Sequence, residues 1–284
     1  MNHNFIKLIG EVKMHYIKFI ESKDNTKLYM KVNDIQDAKA NIIIAHGVAE
    51  HLDRYDEITA YLNEAGFSVI RYDQRGHGRS EGKRAFYSNS NEIVEDLDAI
   101  INYVKSNFEG KVYLIGHSMG GYTVTLYGTK HPNTVNGIIT SGALTRYNNK
   151  LFGNPDRNIS PDTYIENNLS EGVCSDLEVM EKYKLDDLNA KQISMGLVFS
   201  IMDGVRYLKD NAQQFTDNIL ILHGKEDGLV SYVDSLQLYQ EIGSAHKSLH
   251  IYDRLEHEIF NESSYNRTIF NEVIEWLETE LTYN

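Results

Sequence analysis

Cysteine, proline and long apolar runs are all scarce in this sequence of 284 residues. It contains a single cysteine, Cys174, and only three prolines. One cysteine rules out a disulfide bond within the chain, which is typical of a reducing compartment. No stretch approaches the ~18 uninterrupted apolar residues of a membrane-spanning helix. Residues 1–10 also lack the apolar core of a signal peptide, because Lys7 interrupts their short apolar patch. We therefore expect a cytoplasmic protein without a membrane span.

Positive charge is in short supply as well. The chain has 28 Lys and Arg against 41 Asp and Glu, which gives a formal net charge of −13. A surface of this sign repels phosphate backbones and anionic membranes, so nucleic acid is not an expected partner. No group of His, Cys and Asp has the spacing of metal ligands, and neither a P-loop nor a dinucleotide fingerprint occurs. We therefore expect neither a metal nor a cofactor.

The sequence does contain enough apolar residues, 41%, for one large domain or two small ones. Two β-type runs over residues 15–20 and 26–32 are joined by a polar turn and predict a hairpin. From Asn41 onward, short apolar runs alternate with stretches of helical spacing; the runs are 42–45, 67–72, 112–115, 135–140, 219–222 and 249–252. This alternation predicts an α/β fold, in which helices cover both faces of a mostly parallel central sheet.

The stretch over residues 143–215 breaks this alternation. It opens with a polar loop that holds two of the three prolines and continues into helix-like segments, the most apolar of which spans residues 193–208. An insertion at the carboxyl edge of a parallel sheet lies over the ligand site. We therefore predict a core of residues 1–142 and 216–284 with a helical cap of 143–215. The apolar stripe of the last helix fits an acyl channel or ordinary packing; it comprises Ile193, Leu197, Ile201, Val205 and Leu208.

The most informative motif is Gly116-His117-Ser118-Met119-Gly120, which lies between an apolar run and a helix-compatible stretch. A serine at such a strand-to-helix turn is a nucleophile elbow, whose strained backbone needs close neighbours without side chains. The helix that follows directs free N–H groups at the position of a developing oxyanion. The motif indicates a serine hydrolase.

The serine needs a base, and the base needs a carboxylate that orients it. In this architecture the chain order is serine, acid, histidine. Asp227 directly follows a predicted strand and therefore lies at the same sheet edge as Ser118. Of the three later histidines, His246 precedes the last strand and His250 lies within it, whereas His257 follows its carboxyl end. We predict that Ser118, Asp227 and His257 form a catalytic triad.

A second backbone donor for the oxyanion is expected from the loop after the first parallel strand. That loop begins with His46, Gly47 and Val48. We predict that the N–H groups of Val48 and Met119 form the oxyanion hole, and that His46 and Gly47 shape the loop.

Several segments in the expected order carry a resemblance to a known family. His46-Gly47-Val48-Ala49-Glu50-His51, the segment 72–82 (YDQRGHGRSEG), the serine motif, the His-Gly…Asp segment and the final histidine resemble the monoacylglycerol lipase/lysophospholipase group of α/β-hydrolases. The similarity covers nearly the whole chain outside the predicted cap. It implies an α/β-hydrolase fold, the triad above, a lidded acyl pocket and no cofactor. Ala49 stands where members usually have glycine, which bears on the torsion of the oxyanion loop.

The resemblance also implies a role for Glu50 and Arg54, which could hold a glycerol-like headgroup or form an ion pair that braces the loop. The predicted function is cleavage of lipid-type carboxylic esters through an acyl-enzyme on Ser118, with a monoacylglycerol lipase as the leading interpretation. A lysophospholipase, a small-ester carboxylesterase and a peptidase remain alternatives. A non-catalytic binding protein on a hydrolase scaffold is a further one. A transient contact between the cap and a lipid interface is compatible with this prediction.

Overall fold

The computed structural model describes residues 12–169 and 173–283. Residues 1–10, which were considered above for a targeting signal, lie outside the described residues. The strands are β1 (Val12–Glu21), β2 (Lys27–Ile35), β3 (Asn41–Ala45), β4 (Ser68–Tyr72), β5 (Val112–His117), β6 (Gly137–Ser141), β7 (Tyr164–Glu166), β8 (Gln192–Ser194), β9 (Ile219–Gly224) and β10 (Lys247–Tyr252). The helices are α1 (Asp56–Glu64), α2 (Glu92–Asn107), α3 (Met119–Lys130), α4 (Leu177–Leu185), α5 (Met195–Asp210), α6 (Tyr232–Glu241) and α7 (Asn266–Tyr283).

Eight strands form the central sheet, in the order β1-β2-β4-β3-β5-β6-β9-β10. The β1–β2 and β2–β4 pairs are antiparallel, and every later pair in that order is parallel. The predicted hairpin is present as β1 and β2, in which Phe19 lies opposite Tyr29. The mostly parallel α/β fold predicted from the sequence is confirmed.

Alternate residues of the central strands supply two separate hydrophobic cores. In β3, Ile42 and Ile44 face the core covered by α1 and α7, whereas Ile43 faces the core covered by α2, α3 and α6. Strands buried on both faces have continuous apolar sequences, which accounts for the unbroken apolar run of β3. Burial of each of these Ile or Leu side chains contributes about 1.5–3 kcal/mol to the stability of the fold. The central sheet is therefore a stable support for the loops at its carboxyl edge.

The segment between β6 and β9 contains a two-stranded sheet and two very different helices. The antiparallel pair of β7 and β8 was not predicted, and Ile193 lies in β8 rather than in the predicted helix. The helix begins at Met195 instead, because the Ser194 hydroxyl caps it by accepting a hydrogen bond from the Leu197 N–H at 3.0 Å. Within residues 12–169 and 173–283, no helix is both long and apolar enough to cross a membrane.

Helix α5 packs against α3 as part of the core. Ten of its residues are buried. A Cβ atom built on Gly204 would lie only 1.8 Å from the Tyr122 hydroxyl, so the two helices approach closely at this glycine. Leu197, Ile201 and Val205, which belong to the predicted stripe, lie in the same core cluster as Leu126 of α3. The stripe therefore packs, which was one of its two sequence-based interpretations.

Candidate active site

Ser118 lies at the turn between β5 and α3 with φ 53° and ψ −116°. Such torsions cost about 1–3 kcal/mol in a residue other than glycine, so the surrounding packing must hold the turn. A Cβ atom on Gly116 would lie 2.3 Å from the Gly120 carbonyl, and one on Gly120 would lie 2.0 Å from the Ala45 carbonyl. Both glycines are thus required for α3 to start directly behind the serine. Met119 is the first residue of α3, and its N–H therefore has no acceptor within the helix.

Asp227 and His257 come from the loops that follow β9 and β10. The Nδ1–H of His257 donates to Asp227 Oδ2 at 2.6 Å. Asp227 Oδ1 accepts the backbone N–H groups of Leu229, at 2.9 Å, and Val230, at 2.8 Å. This hydrogen bonding fixes the tautomer of His257, because Nδ1 carries the proton and Nε2 is left as the base.

The electrostatic surroundings shift both of these groups. Burial alone raises the pKa of Asp227, but the His257 charge and the hydrogen bonds from His223 and His257 outweigh burial and hold that pKa well below its usual range. Burial lowers the pKa of His257, but the Asp227 carboxylate and its hydrogen bond outweigh burial, aided by the charges of Glu258 and Glu50. The pKa of His257 therefore lies above its usual value, and the protonated form of this imidazole is stabilised.

Ser118 and His257 line the same small cavity, together with Gly47 and Val48 of the loop after β3. Its other lining residues include four from the inserted segment: Leu151, Leu169, Val173 and Tyr183. The cavity volume is about 20 Å³, which is room for about one water molecule. The cavity is therefore too small to hold an acyl chain.

The loop after β3 is held tightly against the serine. A Cβ atom on Gly47 would lie 3.2 Å from the Ser118 Cβ and 2.8 Å from Glu50 Oε1. The Nδ1–H of buried His46 donates to the Gly47 carbonyl at 2.7 Å, and its Nε2 accepts the Gln74 N–H at 2.9 Å. Burial lowers the pKa of His46 to about 3, so this imidazole is a neutral structural group.

Glu50 and Arg54 form the ion pair that the sequence left as one of two alternatives. Arg54 Nη1 lies 2.8 Å from Glu50 Oε2, and the same guanidinium makes a bidentate pair with Glu258 at 2.8 and 2.6 Å. Glu50 Oε1 accepts the Gly47 N–H and the Tyr55 hydroxyl, the latter at 2.6 Å. The network connects the oxyanion loop to the loop that carries His257, and both glutamates also line the cavity.

Sequence reasoning missed three groups beside the triad: His223, Glu258 and Tyr183. His223 donates to Asp227 and lies four residues before it in the His-Gly…Asp segment, so a signal was present. Glu258 directly follows His257, but its partner Arg54 is 204 residues away and no local pattern reveals the pair. Tyr183 is the buried residue of α4, and its ring lies 4.8 Å from the Arg54 guanidinium.

Other candidate acids and bases lie away from the cavity. Asp253 is exposed and pairs with Lys225 at 2.7 Å. His250 lies in β10, where its Nδ1 is 2.9 Å from a Glu272 carboxylate oxygen. Among the residues described in the structure, no group of three His, Cys, Asp or Glu side chains could hold a metal ion.

Residues 36–264 match the family described as serine aminopeptidase, S33. The monoacylglycerol lipase of Mycolicibacterium smegmatis is 28% identical over 86% of this chain and 90% of that protein. A phospholipase of Bacillus subtilis is 26% identical over 78% of this chain and 89% of that protein. The crystal structure of the monoacylglycerol lipase of Paleococcus ferrophilus superposes with a TM-score of 0.77 at 25% identity, covering 94% of this chain and 99% of that one.

Proposed function

The chain belongs to the serine aminopeptidase S33 family of α/β-hydrolases and is an ester hydrolase, and from this premise we propose that it cleaves monoacylglycerols through an acyl-enzyme on Ser118. The observation that carries the proposal is the pair of His257 and Asp227, joined at 2.6 Å, beside a serine on a strained elbow. Similarity to two monoacylglycerol lipases supports the substrate class.

The first half of the reaction acylates the serine. Ser118 Oγ attacks the ester carbonyl carbon while its proton passes to His257 Nε2, the nitrogen that Asp227 leaves free. The carbonyl oxygen becomes an oxyanion, which the N–H groups of Val48 and Met119 stabilise. Collapse of this intermediate breaks the ester bond, and His257 returns the proton to the departing glycerol oxygen.

The second half regenerates the enzyme. His257 Nε2 takes a proton from water, the hydroxide attacks the acyl carbon, and a second oxyanion forms in the same backbone site. When it collapses, the fatty acid leaves and Ser118 Oγ recovers its proton from His257. Asp227 stays ionised throughout, because its low pKa keeps the proton on the imidazole.

A polar cavity wall favours a substrate with free hydroxyl groups. Glu50 and Glu258 line the cavity, and a carboxylate oxygen accepts up to two hydrogen bonds. Glu50 Oε2 is bonded to Arg54 and retains capacity for a hydroxyl donor. A glycerol with two free hydroxyls fits such a wall better than one that carries two further acyl chains. We expect monoacylglycerols to be preferred over di- and triacylglycerols.

Peptide cleavage by the same triad is the second candidate activity. Glu50, Arg54 and Glu258 together carry a formal charge of −1 at the cavity wall, which would attract an α-ammonium group or the cationic headgroup of a lysophospholipid. Aminoacyl p-nitroanilides and lysophosphatidylcholine therefore belong in the same assay as the glycerides. Short p-nitrophenyl esters represent the carboxylesterase alternative.

The experiment measures kcat/KM over this panel, with acyl chains from two to eighteen carbons. Each methylene buried in the acyl pocket is worth about 0.8 kcal/mol, so kcat/KM should rise with chain length until the pocket is full. Ser118→Ala should lose at least ~10³-fold and should not react with a fluorophosphonate, whereas the exposed Ser264→Ala should match wild type. Best turnover of acetyl esters, or of aminoacyl anilides, would replace the lipase proposal.

We further propose that residues 143–215 are inserted into a core of 1–142 and 216–284, that the part of this insertion outside α5 acts as a cap, and that α4 contacts a lipid interface transiently. Leu177 and Leu185, at the two ends of α4, are 75% and 73% exposed. Changing both to serine should reduce partition onto phosphatidylcholine vesicles at least about tenfold. Changing Ile17 and Phe19, exposed residues of β1, to serine is the matched control and should leave partition unchanged. A cytoplasmic location, supported by the free thiol of Cys174, completes the proposal.

A further inference from the structure

A second histidine touches the carboxylate of the proposed catalytic acid. His223 lies near the end of β9 and is fully buried. Its Nε2 lies 3.0 Å from Asp227 Oδ2, the same oxygen that accepts the Nδ1–H of His257 at 2.6 Å. The reaction described above makes no use of this imidazole.

The partners of His223 identify which nitrogen carries the proton. Nε2 also lies 3.0 Å from the Val230 carbonyl, and both of its neighbours can only accept. Nε2 is therefore protonated and shares its hydrogen between them. Nδ1 lies 2.7 Å from the hydroxyl of Ser235 in α6, which can donate to it. These contacts satisfy both nitrogens of the imidazole, and they join α6 to the acid.

We propose that His223 is a positioning residue for the acid, whose Nε2–H holds Asp227 Oδ2 in line with His257 and shares the charge of that oxygen. The inference rests on the proposed triad of Ser118, Asp227 and His257. With the two backbone donors on Oδ1, Asp227 accepts four hydrogen bonds, so its carboxylate is fixed in rotation as well as in position.

If His223 positions the acid, its loss changes the pKa of His257, whereas a purely structural role for His223 would leave that pKa unchanged. Without the His223 donor, Oδ2 carries more negative charge toward His257, and the imidazolium is stabilised further. The pKa of His257 rises, so the acidic limb of the kcat/KM profile moves to higher pH. The other charged or titratable groups beside His257 are Glu258, Glu50 and the ring of His117. None of them is a hydrogen-bonding partner of His223, which contacts Ser235, Asp227 and Val230.

The test uses two amides of different length at position 223. The side-chain nitrogen of Gln extends to the place of Nε2 and keeps the hydrogen bond to Asp227, whereas that of Asn reaches only the place of Nδ1. The pH dependence of kcat/KM is measured with a soluble p-nitrophenyl ester, and thermal unfolding is recorded for each variant. His250→Gln, the same change on the exposed side of neighbouring β10, is the matched control.

His223→Asn should lower kcat/KM about 10- to 100-fold at neutral pH, because a hydrogen bond to a charged group is lost. Its acidic limb should move upward by about half a pH unit or more, whereas His223→Gln should recover most of the rate and the wild-type limb. His250→Gln should change neither. His223→Leu, which lacks any donor, takes the place of the asparagine variant if that variant does not fold, and should give the same shift.

Equal losses in the Asn and Gln variants with unmoved limbs, or a wild-type rate in both, would overturn the positioning role. These results leave the proposed triad intact as long as Ser118→Ala and Asp227→Asn are inactive. If either of those two variants keeps the wild-type rate, the proposed function fails and the role of His223 fails with it.

Discussion

Helices α4 and α5 belong to the same inserted segment, yet they are built in opposite ways. α5 has ten buried residues and lies against α3, whereas Tyr183 is the one buried residue of α4. The cover segment, which we define as residues 147–169 and 173–191, contains α4 and supplies the four inserted residues that line the cavity. None of those four lies in α5. The insertion therefore consists of one part that packs into the core and one part that lines the cavity beside Ser118.

The cover segment is hydrogen-bonded to the core at several places, which include Ala49, His51 and Arg84, Asp234 of α6, and the loop that carries His257. The Glu258 N–H donates to the Val173 carbonyl at 2.6 Å, and the Ser175 hydroxyl donates to Glu262 at 2.5 Å. Both contacts end on the loop that carries His257. Among the described residues of the cover segment, four apolar residues are buried (Val173, Cys174, Tyr183 and Ala190), so its release would expose less apolar surface than the release of α5. From this difference we expect the chemistry to depend on the core and substrate access to depend on the cover segment.

The largest expected effect tests whether the chemistry depends on Asp227, at the carboxyl edge of the central sheet. Asp227→Asn should reduce kcat at least ~10³-fold, because the imidazole loses its orienting carboxylate and can adopt the wrong tautomer. Asp253→Asn, an exposed aspartate paired with Lys225, should stay within about twofold of wild type. The measurement is steady-state turnover of a monoacylglycerol. Similar losses in the two variants would mean that the acid has been assigned to the wrong loop.

The second prediction compares the two helices directly. Leu197→Ala in α5 removes a fully buried side chain and should lower the free energy of unfolding by about 2–5 kcal/mol. Leu185→Ala in α4 removes an exposed side chain and should change it by no more than about 0.5 kcal/mol. Urea denaturation of both variants measures the difference. A large loss for Leu185→Ala would show that α4 is packed in solution against something, and would remove the contrast.

The contrast between the core and the cover segment also explains which features could be predicted from the sequence. The core could be predicted because buried parallel strands such as 42–45 leave unbroken apolar runs, and because the elbow needs Gly116 and Gly120 at fixed positions. The β7–β8 pair could not, because its two three-residue strands carry no clear period. The choice between a headgroup site and an ion pair at Arg54 also could not be predicted, because it depends on Glu258, which is distant in sequence and is brought close only by the fold.

The third prediction is that the pH dependence of kcat/KM is set by groups of the core alone. The pKa of His257 is raised above its usual value near 6.5, mainly by Asp227. Only the neutral imidazole acts as a base, so kcat/KM should fall about tenfold per pH unit below an apparent pKa above 6.5. The acidic limb of the kcat/KM profile should lie at the same pH in Leu185→Ala, because no residue of α4 is among the groups that shift the pKa of His257. A limb below 6.5, or one that moves in the α4 variant, would contradict this account.

The smallest expected effect is that of Ala49→Gly, in the loop after β3 at its contact with the cover segment. Ala49 stands where the resembling family usually has glycine, and its φ is 60°, in the region that favours glycine. A left-handed alanine costs about 1–2 kcal/mol, and Ala49→Gly relieves that strain. The same change also loses a buried methyl group and adds chain entropy to the unfolded state, each worth roughly 0.5–1 kcal/mol. The relieved strain nearly cancels these two losses, so the free energy of unfolding should change by less than about 0.5 kcal/mol.

Ala40→Gly is the matched control for this change. Ala40 is also fully buried, directly precedes β3 and has no positive φ. Its replacement loses the methyl group and adds the same entropy without relieving strain, so it should cost about 1–2 kcal/mol in urea denaturation. The Ala49 carbonyl accepts the Ala190 N–H at 2.9 Å, a backbone contact that both residue types allow, so the cover segment should stay attached. If Ala49→Gly is as costly as Ala40→Gly, the loop is unstrained, and the departure from glycine has no energetic consequence.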